Sequence, residues 1–156
     1  MTSGYSGALS AGSPVFQRPD GDAGTSYYYE AIQVTIPTSG TYVFTSDSTI
    51  DTMGYLYNSS FDPSKPLKNL IMEDDDSGDI PLQFRMRVYL QSGRTYVLVV
   101  TTHWDVSTGS FSVSAFGPSP LSLVSITPST SQPIVTCKFI GISIFHCCTH
   151  CLLSFF

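Results

Sequence analysis

Between Leu82 and Leu90 apolar and polar residues alternate without a break. Leu82, Phe84, Met86, Val88 and Leu90 fall on one side, and Gln83, Arg85, Arg87 and Tyr89 on the other. A period of two belongs to a strand buried on one face, whereas a helix would scatter the same residues around its circumference. A strand of that kind needs a second layer to cover its apolar side, so the chain must contain enough further strands to build one.

Those strands are legible at short intervals. Tyr27 to Ile36 alternates, with Tyr28, Ile32, Val34 and Ile36 on one face and Tyr29, Gln33 and Thr35 on the other. Pro37-Thr38-Ser39-Gly40 turns the chain, and Thr41 to Thr45 is expected to return as a hairpin partner. Thr52 to Tyr57 and Asn69 to Glu73 follow, separated by a Pro-containing loop. Gln91-Ser92-Gly93-Arg94 is a turn before Thr95 to Thr102, which is apolar on both faces and so is expected at the centre of a sheet. Ser110 to Phe116 closes the set with Phe111, Val113 and Ala115 inward, and a weaker strand falls around Ala8 or Val15 to Gln17. No helical period is persuasive before residue 134, and no alternation of strands with helices argues for a parallel sheet. The expected fold is all-β: an antiparallel β-sandwich, jelly-roll-like, of about eight strands.

The expected organisation is a sandwich over residues 1–117, a Pro/Ser/Thr-rich linker over 118–133 and a hydrophobic, Cys-rich tail over 134–156. All four cysteines (Cys137, Cys147, Cys148, Cys151) lie in that tail, so the sandwich must hold by its core without disulfides. The tail has 15 apolar residues of 23, and Phe139 to Phe156 carries no formal charge. That length is near the lower limit for a membrane span, but Ser143, His146, Thr149, His150 and Ser154 make it a poor one. The tail reads best as an end foreign to the domain, with a membrane anchor through 139–156 or an added buried element as alternatives. His146-Cys147-Cys148-Thr149-His150-Cys151 has zinc-ligand residue types without the paired spacing of known zinc modules.

Charge narrows the function. Between Asp47 and Asp79 eight carboxylates face only Lys65 and Lys68, a local balance of −6. Such a surface repels phosphate backbones, so no nucleic-acid partner is expected. Met1 to Gly7 has neither the basic nor the apolar region of a signal peptide. The chain is therefore expected to be cytoplasmic or, on the preferred reading, part of a longer exported protein.

Several segments together resemble the bacterial pre-peptidase C-terminal (PPC)-like domain family. They are Thr41-Tyr42-Val43-Phe44-Thr45 after a Ser-Gly turn, Ile50-Asp51-Thr52 leading into Tyr55-Leu56-Tyr57, and Leu70-Ile71 running to Asp74-Asp75-Asp76-Ser77-Gly78. Ser92 to Val100 and Thr108 to Val113 complete the set. The resemblance covers about Tyr28 to Val113 and implies a jelly-roll accessory module, secreted or on the cell surface, without an active site of its own. Some relatives bind calcium, and some help bind matrix or carbohydrate. The residues before Tyr28 are too few for the catalytic domain of the family's usual setting, so a fragment of a larger extracellular protein is expected.

The candidate site residues follow from chemistry. Asp51 and the Asp74-Asp75-Asp76 turn are two acidic strand ends able to supply oxygens to calcium, with Asp79 as an outer candidate. The alternatives are a solvated acidic loop guarding a sheet edge, or an Asp51 that only caps its own turn. Trp104, within His103-Trp104-Asp105, either folds over the end of the core or joins Tyr55 and Tyr57 in an exposed ligand patch. Asn58-Ser59-Ser60 is a glycosylation sequon. Catalysis is not expected, because His103 is the only histidine before the tail and no Gly-x-Ser-x-Gly or His-Glu-x-x-His motif occurs. The expected function is a non-catalytic extracellular binding or adhesion module with calcium as candidate cofactor and a protein or carbohydrate partner. A purely structural spacer of a larger surface protein is the alternative, followed by an accessory fragment of a secreted peptidase.

Overall fold

A computed structural model describes residues 1–127 of the chain. The expectations placed on the tail (membrane anchor, foreign end, zinc ligands) lie outside the described residues. Eleven strands run through the remainder: β1 (Thr2–Leu9), β2 (Val15–Phe16), β3 (Tyr27–Tyr28), β4 (Glu30–Thr35), β5 (Gly40–Ser48), β6 (Thr52–Asn58), β7 (Leu70–Asp74), β8 (Arg85–Leu90), β9 (Thr95–Thr102), β10 (Gly109–Phe116) and β11 (Ser122–Ser125). A four-stranded sheet in the order β1-β10-β5-β8 packs on a five-stranded sheet in the order β11-β4-β9-β6-β7, and every pairing is antiparallel. The fold is an antiparallel β-sandwich.

The principal core lies between the two sheets. Tyr42 and Phe44 of β5, Met86 and Leu90 of β8, and Phe111, Val113 and Ala115 of β10 meet Ile32, Val34, Leu56, Leu98 and Val100 from the other sheet. Each fully buried aliphatic side chain there contributes about 1.5–3 kcal/mol. Gly54 leaves room on β6: a Cβ at that position would lie 2.8 Å from Cε of Met86 and 3.0 Å from the Phe84 ring. At one end the core closes with a small polar plug. The Thr52 and Ser46 hydroxyls are 2.7 Å apart, Thr52 also donates to Oε1 of Gln83, and the Phe84 amide donates to Ser46.

A second core covers the outer face of the five-stranded sheet. The segment 10–29, with the small β2-β3 ribbon, crosses that face and buries Phe16, Tyr27 and Tyr29 against Met53, Tyr55, Tyr57, Val97 and Val99. Phe16 meets Tyr29, Tyr55 and Phe61 edge-on at centroid separations of 5.4, 6.0 and 5.5 Å. This covering strap explains why β9 is apolar on both faces: Leu98 and Val100 serve one core while Val97 and Val99 serve the other.

Three details depart from the sequence reading. β5 does not pair with β4; it lies in the opposite sheet between β10 and β8. The turn after Ile36 carries the chain across the sandwich, as do nearly all connections from β4 onward, the β6-β7 hairpin being the exception among the described residues. The second departure is at Leu82, which is 50% exposed with φ of 65°, so β8 starts at Arg85 and Gln83 turns inward to the polar plug. Finally, residues 118–133 are not all linker, because β11 adds an edge strand to β4 through Ser125↔Ile32 and its neighbours.

Candidate functional site

Antiparallel register brings the site together. Thr52 of β6 pairs with Thr102 of β9, and Gly54 pairs with Asp74 of β7. One residue beyond the β6-β9 ladder, the His103 amide donates to the Asp51 carbonyl at 3.1 Å. Side chains alternate along each strand, so Asp51, Met53 and Tyr55 share the strap-covered face, and Asp75 and His103 arrive on that face from the flanking strands.

Asp51, Asp75 and His103 each present a ligand-type atom, and the three atoms lie within 4.8 Å of one another. Nδ1 of His103 is 3.0 Å from Oδ2 of Asp75. Oδ1 of Asp51 and Oδ1 of Asp75 are shut off from solvent and accept no hydrogen bond from the described residues. Burial pushes the Asp51 carboxyl above its ordinary value. His103 opposes that rise, Asp75 and Asp76 add to it, and Arg18 opposes it again.

The four acidic residues expected to share an ion are thus divided by the structure. Asp51 and Asp75 converge. Asp74 does not join them: its Oδ2 accepts from the amides of Arg85 (2.7 Å) and Ser77 (3.2 Å), which holds the β7-β8 connection. Asp76 is exposed beside the cluster and acts on Asp51 by its charge. Asp79 lies elsewhere, at a cleft with Val43, Asp47 and Arg85. The residue added is His103, whose imidazole nitrogen departs from the all-oxygen shell of six to eight ligands that calcium takes.

Beside this cluster sits a polar cleft of about 350 Å³ between the strap and the end of β9, with Asp20, Asp22, Thr25, Trp104 and Asp105 on its walls. Arg18 forms its floor. The guanidinium Nη1 donates to the carbonyls of Thr102 (2.8 Å) and His103 (3.0 Å), and Cζ lies 4.1 Å over the Tyr27 ring. Nε faces Oδ1 of Asp20 at 3.7 Å. Trp104 stands at the rim, 65% exposed, with its ring 4.8 Å from that of His103 and its carbonyl held by the Thr102 hydroxyl. A larger cleft of about 620 Å³ lies between the strap and the 63–68 loop, lined by Pro19, Pro63, Pro66 and Leu67 with Lys65 and Lys68.

The expected ligand patch is corrected by these positions. Trp104 is exposed, but Tyr55 and Tyr57 are fully buried beneath the strap and offer no surface. The Tyr55 hydroxyl donates to Oδ1 of Asp20, and the Tyr57 hydroxyl has no partner among the described residues. Burial pushes both phenols far above their usual value, with Asp20 and Glu73 adding to the effect. Asn58 ends β6 in a half-buried position, where its backbone N–H donates to the Asn69 backbone carbonyl.

No protein-family model matches the chain, and no curated protein matches it either.

Proposed function

We propose that the chain is a non-catalytic binding module of the PPC-like kind, acting outside the cell in adhesion or ligand capture, with a carbohydrate as its ligand. The observation that carries this reading is Trp104, exposed at the rim of a polar cleft. An indole face packs against the C–H side of a sugar ring, and the carboxylates of Asp22 and Asp105 can accept from its hydroxyls. Concave sites with one aromatic wall and a few fixed polar groups are the usual setting for small ligands. A non-catalytic role is supported by His103, which has a carboxylate at Nδ1 and no serine or cysteine hydrogen-bonded to it among the described residues.

Trp104 is the only tryptophan of the chain, so its emission reports binding directly. Titration with a panel of neutral oligosaccharides is expected to shift or quench that emission saturably, and Trp104→Ala to abolish the accompanying heat. A panel that produces neither heat nor a fluorescence change defeats the carbohydrate reading. It would favour a spacer, for which the Ser- and Thr-rich outer face of β5 and β10 (Thr41, Thr45, Ser110, Ser112, Ser114) is suited.

A further inference from the structure

We propose that Asp51, Asp75 and His103 form a binding site for a first-row transition-metal dication of the zinc class. The proposal is independent of the ligand assigned to the Trp104 cleft.

The three side chains come from three separate places, the start of β6, the end of β7 and the end of β9, yet their ligand atoms fall within 4.8 Å of one another. Zinc bonds of about 2.0–2.2 Å to nitrogen and oxygen set tetrahedral ligand atoms roughly 3.3–3.5 Å apart. The Nδ1–Oδ2 separation of 3.0 Å between His103 and Asp75 is close to that spacing, so small side-chain rotations suffice. A hydrogen bond between His103 and Asp75 alone leaves two oxygens unexplained. Oδ1 of Asp51 and Oδ1 of Asp75 are both secluded from water without a donor, an arrangement that native proteins rarely tolerate. A cation between the carboxylates relieves their like-charge repulsion and, with Asp75 bidentate through Oδ1 and Oδ2, answers both atoms.

Donor chemistry chooses the metal. Calcium and magnesium draw oxygen ligands, while an imidazole nitrogen with two carboxylates suits zinc, cobalt or nickel. Arg18 is the nearby positive charge that a metal must coexist with. Its Nη1 is committed to the Thr102 and His103 carbonyls and its Nε faces Asp20, so two carboxylates of the cluster and the neighbouring Asp76 are left to balance a dication. Three protein ligands leave a fourth position for water. Bound there, the ion ties the ends of β6, β7 and β9 into one unit beneath the Trp104 rim.

The test uses the full chain with its cysteines alkylated first, so that Cys137, Cys147, Cys148 and Cys151 cannot compete; the sandwich itself contains none. Zinc is expected to bind at one equivalent and raise Tm, while calcium at the same concentration leaves Tm unchanged. Asp51→Asn and His103→Gln should each weaken zinc binding at least tenfold. Cobalt provides a readout that needs no variant: bound at His103, beside the Trp104 ring, it should quench the emission saturably at one equivalent. The proposal is overturned by the absence of a zinc-induced Tm shift, by a shift that both variants retain, by a calcium shift equal to that of zinc, or by cobalt quenching that does not saturate.

Discussion

The backbone amide of His103 donates to the carbonyl of Asp51 at 3.1 Å, and this bond sets the two side chains next to each other whatever else lies between them. Because the tie is main-chain, replacing either side chain leaves the register intact. In chelator-treated protein, Asp51→Asn is expected to keep or raise Tm, since it removes a charge beside Asp75 and Asp76 and brings an amide donor to a place where two carboxylate oxygens lack one. A fall of several degrees in thermal melts would show that the Asp51 carboxylate is structural in its own right.

Arg18 nails the strap to the sandwich. It is 8% exposed and donates to two carbonyls at the end of β9 while lying over Tyr27. Arg18→Ala removes the donor to both carbonyls and the charge that faces Asp20, a loss of about 2–4 kcal/mol. Urea unfolding measures the loss, and limited proteolysis is expected to cut first between residues 18 and 29.

What the sequence disclosed, and what it hid, divides along local and non-local lines. The two-faced apolarity of β9 announced a central strand because that pattern belongs to the strand alone. The identity of the second covering layer did not, since residues 10–29 contain almost no alternation and their role depends on what they touch. For the same reason Tyr55 and Tyr57 read as surface residues: strand alternation turns them away from the sandwich core, and only the strap buries them. The turn Pro37 to Gly40 serves a hairpin or a sheet change equally well, so local chemistry could not place β5. Among the acidic residues, the convergence of two strand ends was legible in order and charge. Which of Asp74, Asp75 and Asp76 faces Asp51 is decided by the pairing Gly54↔Asp74, a register no single strand records. His103 was visible as the lone histidine after β9, but its part in the cluster needed that register too.

Gly54 is required by close packing. A methyl group there would press on Met86 and Phe84 in the middle of the core. Gly54→Ala is expected to cost about 1–3 kcal/mol as an overpacked substitution, read as a lower denaturation midpoint with an unchanged slope.

Tyr57 carries a buried hydroxyl without a partner. Tyr57→Phe deletes that desolvated group while keeping the ring against Phe61, 4.8 Å away. Stability should rise by about 1 kcal/mol; an equal drop would reveal a hydrogen bond to water at this position.

Tyr5 of β1 donates to Oε1 of Glu30 of β4, joining the two sheets along one side of the sandwich. Burial, then the bond to Glu30, pushes its phenol up to about 12. A raised folded pKa favours the protonated form, so this contribution is complete below the unfolded value of about 10 and is lost as pH climbs through about 12. Tyr5→Phe should be less stable than the parent by about 1 kcal/mol at pH 7. The gap should close between pH 10 and 12, as equilibrium unfolding across that range will show.

The pairing of β1 with β10 sets the order in which the molecule can be finished during synthesis. Thr2 sits opposite Phe116 and Leu9 opposite Gly109, so β1 cannot find its place until β10 has been made. At roughly 5–20 residues per second, the first strand waits about 5–20 seconds for its partner. Through that interval Tyr5 and Leu9 have no β10 to pack beside, and the uncharged Thr2–Leu9 segment is a free strand in a crowded cell. A chaperone or a translocation channel that shelters β1 until β10 has been made would therefore raise the yield of folded protein.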